Sequence, residues 1–171
     1  MAGQGTVALE LLDQVPDVGT VLVPVGGGGL VAGVAAVLAD RQPGARVVAV
    51  EPALAGDLGE GLAAGHRVSW SRDRTVRTIA DGLRSPAVGA LAWAHLRSQV
   101  HDAVTVSEDA IVEAMRRLGD AGVVSEPSGA VAVAALLEHA WLATKPPVAA
   151  VVTGRNVDLT TWRRLTELGP A

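Results

Sequence analysis

Hydrophobic residues along this chain fall into short continuous runs that alternate with longer segments of helical spacing. The runs of Val, Ala and Leu at 20–25, 46–50, 103–106 and 148–152 have the length of β-strands buried on both faces. Helical spacing occurs between them, at 6–14, 30–41, 87–99, 107–118 and 130–142, and again from residue 159 onward. This alternation predicts an α/β fold with a mainly parallel sheet and helices on both faces.

Local signals support these elements. Ser107 is a good N-cap for the helix that follows it, because Glu108 and Asp109 fall in the first turn. The stretch 52–85 has weak periodicity and is predicted to be irregular. No internal repeat or linker interrupts the chain, so we interpret residues 1–171 as one α/β domain.

Four consecutive glycines, Gly26 to Gly29, follow the first strand and lead directly into an apolar helix. Glycines let a backbone approach a ligand closely, and the helix N-terminus directs free N–H groups at the same place. The loop therefore predicts a phosphate site, suited to a nucleotide, a dinucleotide or pyridoxal phosphate; the alternative is a tight turn without a ligand. We expect side chains introduced at Gly27 and Gly28 to fill the anion site.

Ligands of parallel α/β sheets bind outside the carboxyl ends of the strands. The polar residues at those ends are Glu51, Glu126 with Ser128, and Thr153 with Asn156.

The competing hypothesis is a nicotinamide dinucleotide site. Gly27, Gly29 and Ala32 satisfy G-x-G-x-x-A, and Glu51 ends the next strand, near where a ribose-binding acid is expected. The cluster of Thr153, Gly154 and Asn156 after the last strand argues against this hypothesis, since a dinucleotide site gives no reason for it.

Composition narrows the functional classes. The chain has no cysteine, which excludes disulfides and thiol nucleophiles and agrees with a cytoplasmic location. A net charge of −4 argues against nucleic acid as a partner. The uncharged stretch 18–39 is interrupted by Pro24 and the glycines, so we expect no membrane span, and Met1 begins no recognisable signal peptide.

Six ordered segments together resemble one family. They read AGQGTVALELL, VPVGGGGLVAG, VEPALAGDL, TIADGLRSPAVG, VSEPSGAVAVAALL and VVTGRNVDL. In this order and at these intervals they are similar to the C-terminal half of the serine/threonine dehydratase and serine racemase family. The resemblance covers nearly all of the chain. It implies the large cofactor-binding domain of a fold-type-II pyridoxal-phosphate enzyme.

The resemblance implies roles for residues around the cofactor. The backbone N–H groups of Gly26, Gly27, Gly28, Gly29 and Leu30 match the loop that holds the phosphate. Thr153 stands where the family usually has a serine facing the pyridine nitrogen; its alternative role is to cap the following helix. Gly82 and Glu126 match segments that line the ring.

The resemblance also implies a divalent cation, Mg²⁺ or Ca²⁺, held by the carboxylates of Glu51 and Asp57 and the carbonyl of Ala55. These are oxygen ligands of the type that both ions prefer. The alternative is a loop in which Glu51 accepts backbone N–H bonds. Arg155 departs from the family, which usually has glycine there, and we assign it no role.

No residue of this chain is predicted to be catalytic. In the family the Schiff-base lysine precedes the segment that this chain resembles, and Lys145, the single lysine, lies at the amino end of a predicted strand. We expect a fragment of a pyridoxal-phosphate-dependent ammonia-lyase of the threonine/serine dehydratase type, inactive alone. It would convert a β-hydroxy amino acid to a 2-oxo acid and ammonia, as a homo-oligomer or associated with the missing half. The alternatives are a non-catalytic cofactor-binding or interaction module and an amino-acid racemase.

Overall fold

A computed structural model describes residues 1–168 and contains one four-stranded parallel sheet. The strands are β1 (Thr20–Pro24), β2 (Arg46–Pro52), β3 (Asp102–Val106) and β4 (Val148–Ala150), in the spatial order β3-β2-β1-β4. Every neighbouring pair is parallel, with Pro24 beside Val50 in the register of β1 and β2. The carboxyl ends of all four strands therefore meet at one edge, as predicted.

Eight α-helices connect and cover the strands within the described residues. They are α1 (Thr6–Gln14), α2 (Gly29–Arg41), α3 (Asp57–Ala64), α4 (Arg72–Thr75), α5 (Ala90–Gln99), α6 (Glu108–Asp120), α7 (Pro127–Glu138) and α8 (Leu159–Leu168). Short 3₁₀ turns occupy Ala2–Gly5, Ala53–Ala55, Asp81–Leu83 and Ala140–Thr144.

The sheet separates two hydrophobic cores because neighbouring residues of a strand face opposite sides. Val21 and Val23 pack with α1, α2 and α5 on one face. Leu22 and Val48 pack with α6 and α7 on the other face. All five residues of β1 are buried, which explains why the residues after Thr20 are continuously apolar rather than alternating. The predicted α/β class with helices on both faces is confirmed.

Several element boundaries differ from the prediction. Helix α7 begins at Pro127 rather than residue 130, because proline has a suitable φ for the first helical turn and its missing N–H costs nothing there. Strand β4 ends at Ala150, since its ladder with β1 reaches only Leu22. The predicted cap of α6 is confirmed: Ala110 N–H donates to Ser107 Oγ at 3.1 Å. Among residues 1–168, no helix is long and apolar enough to cross a membrane.

Candidate functional site

The glycine loop, Gly26–Gly29, connects the carboxyl end of β1 to the first turn of α2. Gly28 has φ +82°, a left-handed conformation that strongly favours glycine. In the described part of the chain, no oxygen accepts a hydrogen bond from the N–H of Gly26, Gly27 or Gly28, nor from those of Gly29 and Leu30 that begin α2. Free N–H groups at a helix N-terminus form an anion-binding arrangement.

The glycines of this loop do not all face the same way. A Cβ atom at Gly27 or Gly29 would meet no atom within 4 Å, so these positions face open space. A Cβ at Gly28 would lie 3.0 Å from Ala92 Cβ and 3.2 Å from Leu96 Cδ1. The expectation that a side chain at Gly28 fills the anion site is therefore wrong, because that position faces α5.

One cavity of about 260 Å³ lies over the glycine loop. It is lined by all eight residues predicted to contact the cofactor, which are Gly26, Gly27, Gly28, Gly29, Leu30, Gly82, Glu126 and Thr153. Pro24, Leu83 and Ser128 complete the lining. Residues from four separate segments are thus brought together, because each segment follows a strand or packs on the same edge of the sheet.

The wall that contains Thr153 is held by the N-terminus of α7. Glu126 N–H donates to the carbonyl of Gly154 at 3.2 Å, and a Cβ at Gly129 would lie 2.6 Å from that same carbonyl oxygen. A Cβ at Gly154 would collide with the carboxylate of Glu126. Close contacts on both sides therefore fix Gly154, the residue next to Thr153. The side chain of Thr153 itself stays exposed at the cavity.

Arg155 is exposed, and its guanidinium makes no hydrogen bond or ion pair with any residue among 1–168. It does not line the cavity over the glycine loop. Asn156, its neighbour, lines an adjacent cleft.

Glu51 is the penultimate residue of β2 and is almost completely buried, with 1% of its surface exposed. Its Oε1 accepts from Leu58 N–H at 2.9 Å and its Oε2 from Gly59 N–H at 2.8 Å. Burial raises the pKa of Glu51 to about 8; the two N–H bonds oppose this shift and the nearby Asp57 carboxylate adds to it.

Asp57 lies at the start of α3 and is also buried. Its Oδ2 accepts from Val88 N–H at 2.9 Å. Burial raises the pKa of Asp57, while the Val88 bond and the positive charge of Arg67 lower it. Both carboxyl groups are thus held by the backbone, and each keeps unused lone pairs.

The acidic loop, residues 51–57, can be tested against the predicted cation. Residues 1–168 contain no group of three or more His, Asp or Glu side chains arranged for a metal. The predicted set needs only two carboxylates and the Ala55 carbonyl, all oxygen ligands, so its donor chemistry fits Mg²⁺ or Ca²⁺. The N–H bonds to Glu51 also match the alternative, a loop satisfied by its own backbone. The cation therefore stays a prediction.

Lys145 and the cavity lie at opposite edges of the sheet. It precedes β4, and its Nζ donates to the carbonyl of Gly44, which precedes β2. Its own carbonyl accepts from the hydroxyl of Thr20, the first residue of β1, at 3.1 Å. All these contacts lie at the amino edge of the sheet, opposite the glycine loop. The single lysine of the sequence therefore does not reach the cavity, as expected.

An anion-binding glycine loop at the carboxyl edge of a parallel sheet, with a hydroxyl across the cavity, defines a phosphate-cofactor domain. The family model for pyridoxal-phosphate dependent enzymes matches residues 1–154. The chain belongs to this family, and the dinucleotide hypothesis is set aside.

Similar proteins agree with this assignment. A serine racemase of Oryza sativa subsp. indica is 40% identical over 166 residues, covering 93% of this chain and 48% of the relative. The catabolic L-threonine dehydratase of Staphylococcus aureus is 38% identical over 165 residues, covering 94% of this chain and 46% of the relative. The structure of maize serine racemase superposes with a TM-score of 0.85 at 39% identity, covering 97% of this chain and 53% of that one. The chain spans about half the length of these relatives.

The expectation that Glu126 and Ser128 follow a strand is wrong, because both lie at the N-terminus of α7 and no strand separates that helix from α6. Ser128 nevertheless lines the cavity with its side chain buried. Its signal was its position in the first turn of a helix beginning next to the cavity. Its bonding partner, Gly82, lies 46 positions away and has no sequence signature of that contact.

Proposed function

We propose that this chain provides the cofactor cavity of a pyridoxal-phosphate-dependent ammonia-lyase of the threonine/serine dehydratase type. The reaction converts a β-hydroxy amino acid to a 2-oxo acid and ammonia. The observation that carries the proposal is the glycine loop, whose free N–H groups face a cavity that also contains Thr153. Relatives named threonine dehydratase and β-hydroxyaspartate dehydratase support the reaction class.

The residues of the cavity fit pyridoxal phosphate. The N–H groups of Gly26 to Leu30 would hold its phosphate, and the open space at Gly27 and Gly29 leaves room for it. Glu126 and Gly82 would flank the ring. When bound, pyridoxal phosphate supplies an electron sink for the bonds at the amino-acid α-carbon.

Thr153 would determine whether a proton is held at the pyridine nitrogen of the cofactor. A hydroxyl both donates and accepts, so it does not hold a proton at that nitrogen as a carboxylate would. A weaker electron sink favours loss of the β-hydroxyl over a long-lived carbanion. The wall formed by Glu126, Gly129 and Gly154 keeps the Thr153 backbone in place for this contact.

The Schiff-base lysine must come from outside these 171 residues, because Lys145 lies at the opposite edge of the sheet. We therefore propose that the chain acts together with a segment that carries this lysine and binds the substrate carboxylate. Reduction with borohydride in the presence of pyridoxal phosphate, followed by peptide mass spectrometry, tests the point. We expect no adduct on Lys145; such an adduct would refute the assignment.

Complementation tests the reaction. The chain is mixed with the half of the Staphylococcus aureus dehydratase that it does not match, at a split point where that enzyme's own two halves regain activity. Production of 2-oxo acid and ammonia from L-threonine or L-serine supports the proposal. No activity, while the relative's own halves are active, contradicts it and favours a non-catalytic module.

Serine racemisation is a second candidate, favoured by 40% identity to a protein named serine racemase. It starts from the same α-proton removal and uses the same cavity. Chiral chromatography of the complementation mixture separates the two, because formation of D-serine without a 2-oxo acid identifies the racemase.

A further inference from the structure

The first turn of α7 lies between the two walls of the cofactor cavity. Glu126 and Gly129 contact the Gly154 wall, and Ser128 contacts the opposite wall at Gly82. Because α7 packs in the hydrophobic core through Ala130 to Ala135, this turn is a rigid support for both walls.

Ser128 makes the polar contact to the Gly82 wall. Its side chain is buried, and its Oγ accepts a hydrogen bond from Gly82 N–H at 2.9 Å. The same hydroxyl donates a longer bond of 3.4 Å to Asp81 Oδ1. Asp81 Oδ1 also accepts from Gly82 N–H at 2.9 Å, so one N–H is shared between two acceptors. Of the two, only Ser128 belongs to another element, because Asp81 moves with Gly82.

The Gly82 wall is bounded on its other side by the glycine loop. A Cβ at Gly26 would lie 3.1 Å from Leu83 Cα and 3.2 Å from the carbonyl oxygen of Gly82, so the two backbones are in contact. A Cβ at Gly82 would lie 3.1 Å from Ser128 Oγ. The wall is therefore confined between the loop and the serine, and its distance from the Thr153 wall depends on Ser128.

We propose that Ser128 is a positioning residue which, through the N–H of Gly82, sets the width of the cavity around the pyridine ring. This inference rests on the proposed function, in which the cavity holds pyridoxal phosphate. Ser128 acts on the ring-flanking wall and not on the phosphate N–H groups, so its loss weakens binding of the whole cofactor more than binding of inorganic phosphate.

The test compares Ser128→Ala with Ser125→Ala in this chain. Ser125 is a matched control, because its hydroxyl is also buried but has no hydrogen-bond partner in residues 1–168. Amide hydrogen exchange of Gly82 is followed by NMR. We expect exchange to accelerate about fivefold in Ser128→Ala, the effect of one lost hydrogen bond, and to stay unchanged in Ser125→Ala. Unchanged Gly82 exchange in Ser128→Ala would overturn the proposal.

Calorimetric titration with pyridoxal phosphate and with inorganic phosphate gives the second readout. In Ser128→Ala we expect about fivefold weaker binding of pyridoxal phosphate and unchanged binding of inorganic phosphate, with recovery in Ser128→Thr, which restores the hydroxyl. An equal loss for both ligands would contradict a role at the ring. If neither ligand binds the unmodified chain, the proposed function fails. The exchange rate of the Gly82 amide still shows whether Ser128 holds the Gly82 wall.

Discussion

The glycine loop after β1 and the acidic loop at the end of β2 lie side by side at the same edge of the sheet. They differ in whether their polar groups have hydrogen-bond partners within the chain. The glycine loop presents N–H groups without acceptors and faces open space at Gly27 and Gly29. The acidic loop presents carboxylates whose oxygens already accept backbone N–H bonds, at Glu51 and Asp57. N–H groups gathered at a helix N-terminus without intrahelical partners are suited to bind an anion. The difference supports the proposal that the glycine loop binds an anion, whereas the carboxyl groups of the acidic loop already have backbone partners.

Substitution of Gly27 should weaken ligand binding more than any other change proposed for the two loops. In Gly27→Leu we expect affinity for pyridoxal phosphate and for inorganic phosphate to fall about 100-fold, because the side chain displaces an anion held by several charge-assisted bonds. Thermal stability should not change, since a Cβ there meets no atom within 4 Å. Gly44→Leu is the matched control, because that position is equally open but lies at the other edge of the sheet. Full affinity in Gly27→Leu would mean that the anion binds elsewhere.

Substitution of Gly28 should affect packing, whereas substitution of Gly27 in the same loop should affect ligand binding. Gly28→Ala should lower the free energy of unfolding by about 1–3 kcal/mol, because the residue has a positive φ and its Cβ would crowd α5. Chemical denaturation of Gly28→Ala and Gly27→Leu compares their free energies of unfolding. An unchanged free energy of unfolding in Gly28→Ala would show that the loop does not pack on α5 as described.

The acidic loop predicts a pH dependence of stability without metal. The pKa of Glu51 is about 8 in the folded chain, above the ordinary value of 4.5, so between these pH values the folded state holds a proton that the unfolded state releases. The contribution of Glu51 to stability is therefore full below the ordinary pKa and falls as pH rises to about 8, by about 1.4 kcal/mol per pH unit. Urea unfolding across this range should show that the free energy of unfolding falls with pH in the unmodified chain and falls less steeply in Glu51→Gln. Equal slopes in the two proteins would contradict the raised pKa of Glu51.

A divalent cation should raise the stability of the chain only slightly. At pH 8, where Glu51 ionises, Mg²⁺ or Ca²⁺ at ten times its Kd should stabilise the chain by about 1.4 kcal/mol, a rise in Tm of roughly 3 °C. The rise should disappear in Glu51→Gln. The same melting temperature with and without either ion would show that the acidic loop is only a structural cap on α3.

The position of the cavity could be predicted because parallel strands place their carboxyl ends at one edge, which brings Gly26 and Thr153 together. The place of Glu126 did not follow from that rule, because it caps α7 and no strand precedes it. The sequence did not predict which way each glycine faces, since that depends on the left-handed φ of Gly28 and on the approach of α5. It left open whether the Glu51 oxygens were satisfied, because their donors lie in a loop of weak periodicity. The contact of Ser128 with Gly82 was also missed, because it joins two segments without a pattern linking them.

The proposed cofactor site depends on the N–H groups of Gly26 to Leu30, which would bind the phosphate of the cofactor. Amide chemical shifts of the chain, measured during titration with pyridoxal phosphate, inorganic phosphate and phosphate-free pyridoxal, test this proposal most directly. We predict that the signals of these five residues move with both phosphate-containing ligands and stay in place with pyridoxal. Shifts confined to other residues, or equal shifts with pyridoxal, would contradict the proposal.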